Sequence, residues 1–385
     1  MVSIKTLAEK LDWECLESDT SYLTHDIHRY SGKFIPQIAR NAIEILSKED
    51  DLVLDVYAGS GTTLLEAACL KRHSIGVDLN PLATIISMVK TTPIDKEKLF
   101  NWHVQFNLKI KRYKIYEEPQ LFEGEMDELE ISEVEHDERL TSDWHTKWFQ
   151  IDRLKELIWI DQNVRRISDS ELRSIAIVAL SDVLRRSSNA HSSYPNVMLD
   201  KNKKKVSPVI PCFLKRLDQI VQSISTIQGT IQNKYIPRVI EGSNLTLNLE
   251  EDSVDAVITH PPYIGSIPYA EYGILSLTWL NHNSKELDAS LTGGQRQRKN
   301  VIERFSRDYQ MMFREAGRVL KQQRHMFILV GNPTVKGEII DLTEMSIHYA
   351  TEAGLKLDFK LSRKGVNRRA NKMGEETGLF FLNTN

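Results

Sequence analysis

Cysteine is scarce. Cys15, Cys69 and Cys212 are the three in 385 residues, far apart and without a C-x-x-C pair. This excludes a disulfide framework and a cysteine-rich zinc site, and it fits a reducing, cytoplasmic setting. An excess of charge of either sign is also missing. Fifty Lys and Arg against 53 Asp and Glu leave a net of −3, which excludes a uniformly basic binder. No apolar run approaches the ~18 residues a membrane span needs. The opening MVSIKTLAEKLDWECLESD carries charges every few residues, so it has no signal-peptide apolar region. Long-range self-similarity is absent too. What remains is 41% hydrophobic and 27% charged, enough for a core in two domains or in one large α/β unit with an insertion.

The α/β rhythm comes first. LVLDV (52–56) and SIGVD (74–78) have the length and apolar character of buried strands, and each leads into a helical run. Strand–helix–strand–helix with short links predicts a parallel, doubly wound sheet. From about 96 to 235 strand signals give way to helical ones. Leu172, Ile175, Ala176, Ala179, Leu180, Val183 and Leu184 share one helix face behind a Ser168–Glu171 capping box. Phe213, Leu214, Leu217, Ile220, Val221, Ile224 and Ile227 share another after Ser207-Pro208. Between them and the first unit, residues 117–138 hold eleven acids and no Lys or Arg, which predicts a solvated loop. Strand signals resume at 235–242, 254–259 and 325–330. The runs 355–361 and 378–383 predict a hairpin-like pair closing the sheet edge. The expectation is an α/β fold with about seven strands, divided as 1–95, a helical insertion over 96–235, and 236–385.

Between the first strand and its helix stands Asp55-Val-Tyr-Ala58-Gly59-Ser60-Gly61-Thr62-Thr63. Glycines there let a ligand approach the backbone, and the helix start offers free N–H groups. No Lys follows Gly61, so a Walker A loop is excluded; Leu64 stands where a dinucleotide fingerprint needs its third glycine. A nucleoside with a short charged tail fits the remainder. Asp78 ends the next strand, where a carboxylate can accept from ribose hydroxyls.

Asp255-Ala-Val-Ile-Thr259-His260-Pro261-Pro262-Tyr263 places a polar residue, two prolines and a ring at another strand's carboxyl end. The prolines stiffen the turn and leave carbonyl acceptors, which suit a substrate amine. A tyrosine ring suits stacking on a planar base.

Together these segments resemble the S-adenosylmethionine-dependent DNA amino-methyltransferases of restriction–modification type. DVYAGSGTT and GVDLNP are similar to motifs I and II, and His28-Arg-Tyr-Ser-Gly-Lys33-Phe34-Ile-Pro36 to motif X. HPPY resembles motif IV, (D/N/S)-P-P-(Y/F), with His260 in the variable first place. Glu241-Gly-Ser-Asn244 occupies the place of motif III. The resemblance implies a Rossmann-like class I methyltransferase fold with S-adenosylmethionine as cofactor. Lys33, Phe34, Pro36, Asp55, Ala58, Gly59, Ser60, Gly61, Thr62, Thr63, Asp78 and Asn244 would hold it. His260, Pro261, Pro262 and Tyr263 would act on an exocyclic amine of a flipped base. The Thr-x-Pro-Pro-Tyr context leans toward cytosine N4 over adenine N6. A neutral imidazole can accept a hydrogen bond but cannot replace a carboxylate as a charged acceptor. An RNA base substrate and a non-catalytic DNA-binding homologue therefore stay open.

Pro211-Cys212 mimics the nucleophile of cytosine-C5 enzymes. It starts a helix, however, and no Glu-Asn-Val segment accompanies it. His25 and His28 lack further ligands for a metal, so none is expected.

Residues 285–324 hold ten basic residues against five acids, and 360–372 hold six and none. Alongside a base-modifying site, Arg296, Arg298, Lys299, Arg363, Arg368 and Arg369 are the expected contacts to double-stranded DNA. Lys201 and Lys203–Lys205 form a third basic cluster. A cognate restriction nuclease is the companion the resemblance implies. Setting aside residues 117–138, the remaining 50 basic and 42 acidic residues carry a net of +8.

Overall fold

A computed structural model describes residues 3–117, 133–194, 196–264, 268–295, 298–335, 337–364 and 375–385. Its centre is a seven-stranded sheet of β1 (Leu52–Asp55), β2 (His73–Asp78), β3 (Arg238–Glu241), β4 (Val254–Thr259), β5 (Leu320–Gly331), β6 (Leu355–Lys364) and β7 (Glu375–Asn383). The spatial order is β3-β2-β1-β4-β5-β7-β6. The pairs β1–β2, β1–β4, β2–β3 and β4–β5 are parallel. β7 runs antiparallel to both of its neighbours. This is a Rossmann-like, doubly wound α/β sheet with one antiparallel strand inserted next to its edge.

Two strand expectations need amendment. The last two strands do pair, but β7 slots between β5 and β6, so only β6 lies at the edge. On β7 the adjacent Phe380 and Phe381, which point to opposite faces, are both buried, as an interior strand requires. β5 also begins five residues before its apolar run, because Leu320 pairs with Val254 of β4.

Flanking and inserted helices include α1 (Pro36–Leu46), α2 (Thr62–Cys69), α3 (Pro81–Thr91), α4 (Lys96–Glu117), α5 (Ile151–Arg165), α6 (Ser170–Leu184), α7 (Val209–Ile227), α8 (Ile274–Trp279), α9 (Val301–Val319) and α10 (Leu342–Glu352). α3 begins where its sequence says it should. Asn80 caps it by accepting from the Leu82 N–H at 3.1 Å, and Pro81 fills the first position. α6 is capped by Asp169 rather than Ser168. The Asp169 carboxylate accepts from the N–H groups of Glu171 and Leu172 and pairs with Lys98 at 2.7 Å. A carboxylate both caps and takes the ion pair, which a serine hydroxyl cannot. α7 starts directly after Pro208, and Cys212 packs in its first turn against the insertion's core.

The insertion shares its core with the α/β body. One apolar cluster runs from Leu82, Ile86 and Val89 of α3 through Trp159, Ile175, Leu217 and Ile220 to Leu275, Leu277 and Trp279 of α8. Residues 118–132 of the acidic segment lie outside the described residues. Its far flank, residues 133–138, is largely solvent-exposed, as expected, but ion pairs tie it to the neighbouring elements. Glu135 pairs with Lys155 at 2.8 Å, Glu133 with Arg166, and Asp137 with Arg139 at 2.8 Å. Lys155 of α5, Arg166 just past its end and the nearby Arg139 supply the partners the segment itself lacks. Among the described residues, no helix is long and apolar enough to cross a membrane.

Candidate active site

The switch in strand order between β1 and β4 opens a crevice at the carboxyl ends of the sheet, the usual ligand position in such folds. A cleft of about 620 Å³ lies there. Its walls include Tyr30, Gly32, Tyr57, Gly59, Asp78, Asn80, Asn244, His260, Pro262, Tyr269 and Thr292.

Of the loop's two glycines, Gly59 lines the cleft and Gly61 packs behind it. Gly59 and Gly61 adopt φ of 50° and 77°, the left-handed region. A Cβ on Gly61 would collide with Ser87 Oγ and stand 3.0 Å from Ser87 Cα, so that turn is packed directly onto α3. Beneath the loop, buried Lys90 donates from Nζ to Ser60 Oγ at 3.2 Å. Ala58, Ser60, Thr62 and Thr63 are buried below the cleft rather than lining it.

The two strand-end acids do different things. Asp78 lines the cleft and accepts from the Gly59 N–H through Oδ2 and the Asn80 N–H through Oδ1, both at 2.8 Å. Burial pushes its carboxyl up to about 6 despite those donors. Asp55 sits deeper, 3% exposed, and accepts from the Tyr57 N–H at 3.0 Å and the Thr259 hydroxyl at 2.7 Å. It staples the glycine loop to the end of β4, and burial raises its carboxyl as well.

The N-terminal strap reaches the cleft through residues other than those expected. Lys33 donates to the carbonyls of His25 and His28, at 3.0 and 3.2 Å, and so closes the strap on itself. Phe34 is buried 5.3 Å from the His260 ring and stacks on Phe327; Pro36 opens α1. None of the three lines the cleft. Tyr30 and Gly32 do, and the Tyr30 ring stacks on Tyr269 at 6.2 Å. The strap is anchored by buried His25, whose Nε2 meets Glu66 at 2.7 Å, and by His28, bonded to Ser181 of α6 at 3.0 Å.

His260 and Pro262 of the tetrapeptide face the cleft, while Pro261 and Tyr263 are buried behind them. The Tyr263 hydroxyl lies 2.8 Å from His260 Nε2 and 3.2 Å from Glu376 of β7. Burial lowers the His260 pKa, which keeps the ring neutral near pH 7. Asn244 is buried on the opposite wall. Neither its Nδ2 nor the neighbouring Tyr57 hydroxyl makes a protein hydrogen bond of good geometry. Glu376 carried no signal in the sequence: it is 113 residues from Tyr263 and reaches it only because β7 lies beside β5. Tyr30 and Asn80 stood inside the motif X and helix-start segments but had no role of their own there.

The expected DNA contacts divide. Arg296, Arg368 and Arg369 lie outside the described residues. Arg298 and Lys299 follow in the surface segment before α9, where Lys299 is exposed. Arg363 is 4% exposed and not a surface residue. It pairs with Glu376 and donates to the carbonyls of Trp13 and Glu14 at 2.8 and 2.9 Å. Its place on β6 sends it inward between Glu376 and the N-terminal segment. Other cations of the 285–324 cluster serve the fold, Lys321 with Asp255 at 2.9 Å and Arg318 with Glu315 at 2.8 Å.

Comparison with known proteins agrees with this arrangement. Residues 9–88 match a family model for N6/N4 methyltransferases described as DNA methylase. The chain is 26% identical to the Type II methyltransferase M.MvaI of Kocuria varians, over 83% of this chain and 79% of that protein. It is 23% identical to the Type II methyltransferase M.MjaII of Methanocaldococcus jannaschii, over 69% of this chain and 64% of that one. A solved S-adenosylmethionine-dependent methyltransferase from Methanosarcina mazei spans 89% of this chain and 96% of its own at 9% identity and a TM-score of 0.35. That score is too low to weigh beside the strand order itself.

Proposed function

We propose that this chain, an S-adenosylmethionine-dependent methyltransferase of the DNA amino-methyltransferase family, methylates the exocyclic N4 of a cytosine flipped out of double-stranded DNA. The observation that carries the reading is the shared cleft: His260 and Pro262 line the same cavity as Asp78, Gly59 and Asn244. The residues fit the cofactor. The Asp78 carboxylate offers an acceptor for ribose hydroxyls, and the unpaired Asn244 Nδ2 a donor for a purine ring nitrogen. The left-handed turn at Gly59, which lines the cleft, leaves the backbone open to close approach where a nucleoside's charged tail would lie. Bound there, the cofactor supplies an electrophilic methyl group.

The protein's own residues then arrange the amine. His260, neutral through burial, accepts one of its protons as a hydrogen bond, and the Pro261 carbonyl accepts the other. Two acceptors on one amine draw its lone pair out of ring conjugation and aim it. Tyr30 and Tyr269, stacked at the mouth, exclude water beside the reacting atoms. Lys299 and its surface segment, with the helical insertion, contribute the DNA-facing surface.

Transfer of labelled methyl from S-adenosylmethionine into double-stranded DNA, followed by nucleoside analysis, tests this. N4-methylcytosine is expected. N6-methyladenine instead moves the target base. Preferential labelling of RNA replaces the substrate, and activity only after His260→Ser or His260→Asp marks a degenerate homologue.

A further inference from the structure

His260 occupies the acceptor position with a side chain that has two possible neutral forms, only one of which leaves the right nitrogen free. The surroundings of the ring select it. Glu376 is held in an ion pair with Arg363, whose side chain is 3% exposed, so its carboxylate faces Tyr263 as an acceptor. The Tyr263 hydroxyl lies 3.2 Å from Glu376 Oε1 and has one proton. If that proton pointed at His260, the phenol oxygen and the carboxylate would face each other as two acceptors. Tyr263 therefore donates to Glu376, and its oxygen accepts from His260 Nε2 at 2.8 Å. Nε2 must then carry the ring's hydrogen. Nδ1 has no hydrogen-bond partner among the described residues, and the ring lines the cleft.

We propose that the chain Glu376–Tyr263–His260 fixes His260 as the Nε2–H tautomer, so that Nδ1 accepts the hydrogen bond and then the proton of the target amine. The inference rests on the methyl-transfer reading above. As the amine's lone pair forms the new nitrogen–carbon bond, the methyl group's bond to the donor sulfur breaks with its pair on sulfur, and an amine N–H bond breaks with its electron pair remaining on that nitrogen. A new N–H bond forms at Nδ1. The resulting imidazolium donates from Nε2 to Tyr263, with the Glu376 carboxylate behind it, and Phe34 closes one face of the ring at 5.3 Å. Glu376 and Tyr263 are positioning residues in this scheme; His260 is catalytic. Burial of the imidazole below its ordinary pKa returns the proton to water between turnovers.

Histidine-selective 15N labelling of the full chain tests the tautomer without any activity, the His260 signals being those lost in His260→Asn. The expected pattern is a protonated Nε2 and a free Nδ1 in the wild type. Tyr263→Phe, which keeps the ring, and Glu376→Gln should each give a mixture of tautomers. A protonated Nδ1 in the wild type, or an unchanged pattern in both variants, overturns the proposal. Kinetics supply the second arm. Glu376→Gln should lower kcat about 10- to 100-fold while cofactor affinity stays within about twofold. In a His260→Asn background, where the acceptor needs no tautomer, the same change should lower kcat less than about twofold. Equal losses in both backgrounds show a merely structural role and overturn the proposal. A wild type that labels no nucleic acid overturns the methyl-transfer reading and this inference with it. A wrong tautomer in an active enzyme overturns the inference alone.

Discussion

The Thr259 hydroxyl donates to Asp55 Oδ1 at 2.7 Å and so joins the end of β4, one residue before His260, to the start of the glycine loop. Both partners are buried, at 0% and 3% exposure. The bond ties the glycine loop to the turn that carries His260. Thr259→Val keeps the side-chain volume and leaves a buried carboxylate short of one donor. A loss of about 1–3 kcal/mol in unfolding free energy is expected, with weaker cofactor binding by calorimetry. Unchanged affinity would show that the staple serves folding alone.

Gly61 and Gly59 differ in a way that two alanine variants can read. At Gly61 the left-handed φ of 77° combines with backbone of Ser87 3.0 Å from the new Cβ, whereas Gly59 has a nearest neighbour at 3.5 Å, the Tyr30 ring. Gly59→Ala should lower stability by about 1 kcal/mol, from conformation alone. Gly61→Ala should lose about 2–4 kcal/mol, because overpacking adds to the strain. Thermal unfolding of the two variants side by side checks the order; the reverse order would mean α3 yields freely.

The sheet was legible because its strands are short apolar runs bounded by turn or helix signals, and Val254–Thr259 matched to the residue. The glycine loop and Asp78 were legible because a tight turn at a strand end needs those residue types. The strap was harder. Its residues share one motif, but whether Phe34 or Tyr30 reaches the cleft depends on how the strap folds back, and Lys33 is used to close it. Arg363 misled because a basic residue in a basic run gives no sign of the carboxylate that buries it. Glu376 stood beyond reach for the same reason in reverse: its partners come from the turn after β4 and from β6, and sequence separation hides such neighbours. The helix cap moved by one residue because Asp169 also meets Lys98, 71 positions earlier.

Asp78 predicts a pH dependence of its own. Burial raises its carboxyl to about 6, above the ordinary value of 3.8. An acid with a raised folded pKa binds its proton more tightly when folded. Its ionisation therefore opposes stability above pH ~6, and that penalty is relieved as pH falls from ~6 toward ~4. Under the proposed role of Asp78 cofactor affinity runs the other way, since ribose hydroxyls would need the ionised acceptor. Affinity should be full at pH 7.5 and fall through a midpoint near 6. Asp78→Asn should bind more weakly at pH 7.5 and lose the transition. An identical pH profile in the variant would assign the dependence to another group.

Arg363 and Lys299 separate a buried cation from a DNA-facing one. Arg363 pairs with Glu376 in the protein interior and holds two carbonyls of the N-terminal segment. Removing one partner of a buried pair leaves the other charge uncompensated, so Arg363→Ala should destabilise by about 3–5 kcal/mol. Measured below its lowered melting temperature, its DNA affinity should keep the wild-type salt dependence. Lys299 is exposed at the start of the segment leading into α9. Lys299→Ala should leave the melting temperature within a degree or so, as surface changes do. It should weaken DNA binding across sequences and reduce the slope of log affinity against log salt by about 1. Binding titrations at four or five salt concentrations, with a thermal melt of each variant, read both axes at once. A changed slope in Arg363→Ala would return that residue to the DNA surface, and an unchanged one in Lys299→Ala would place the phosphate contacts elsewhere.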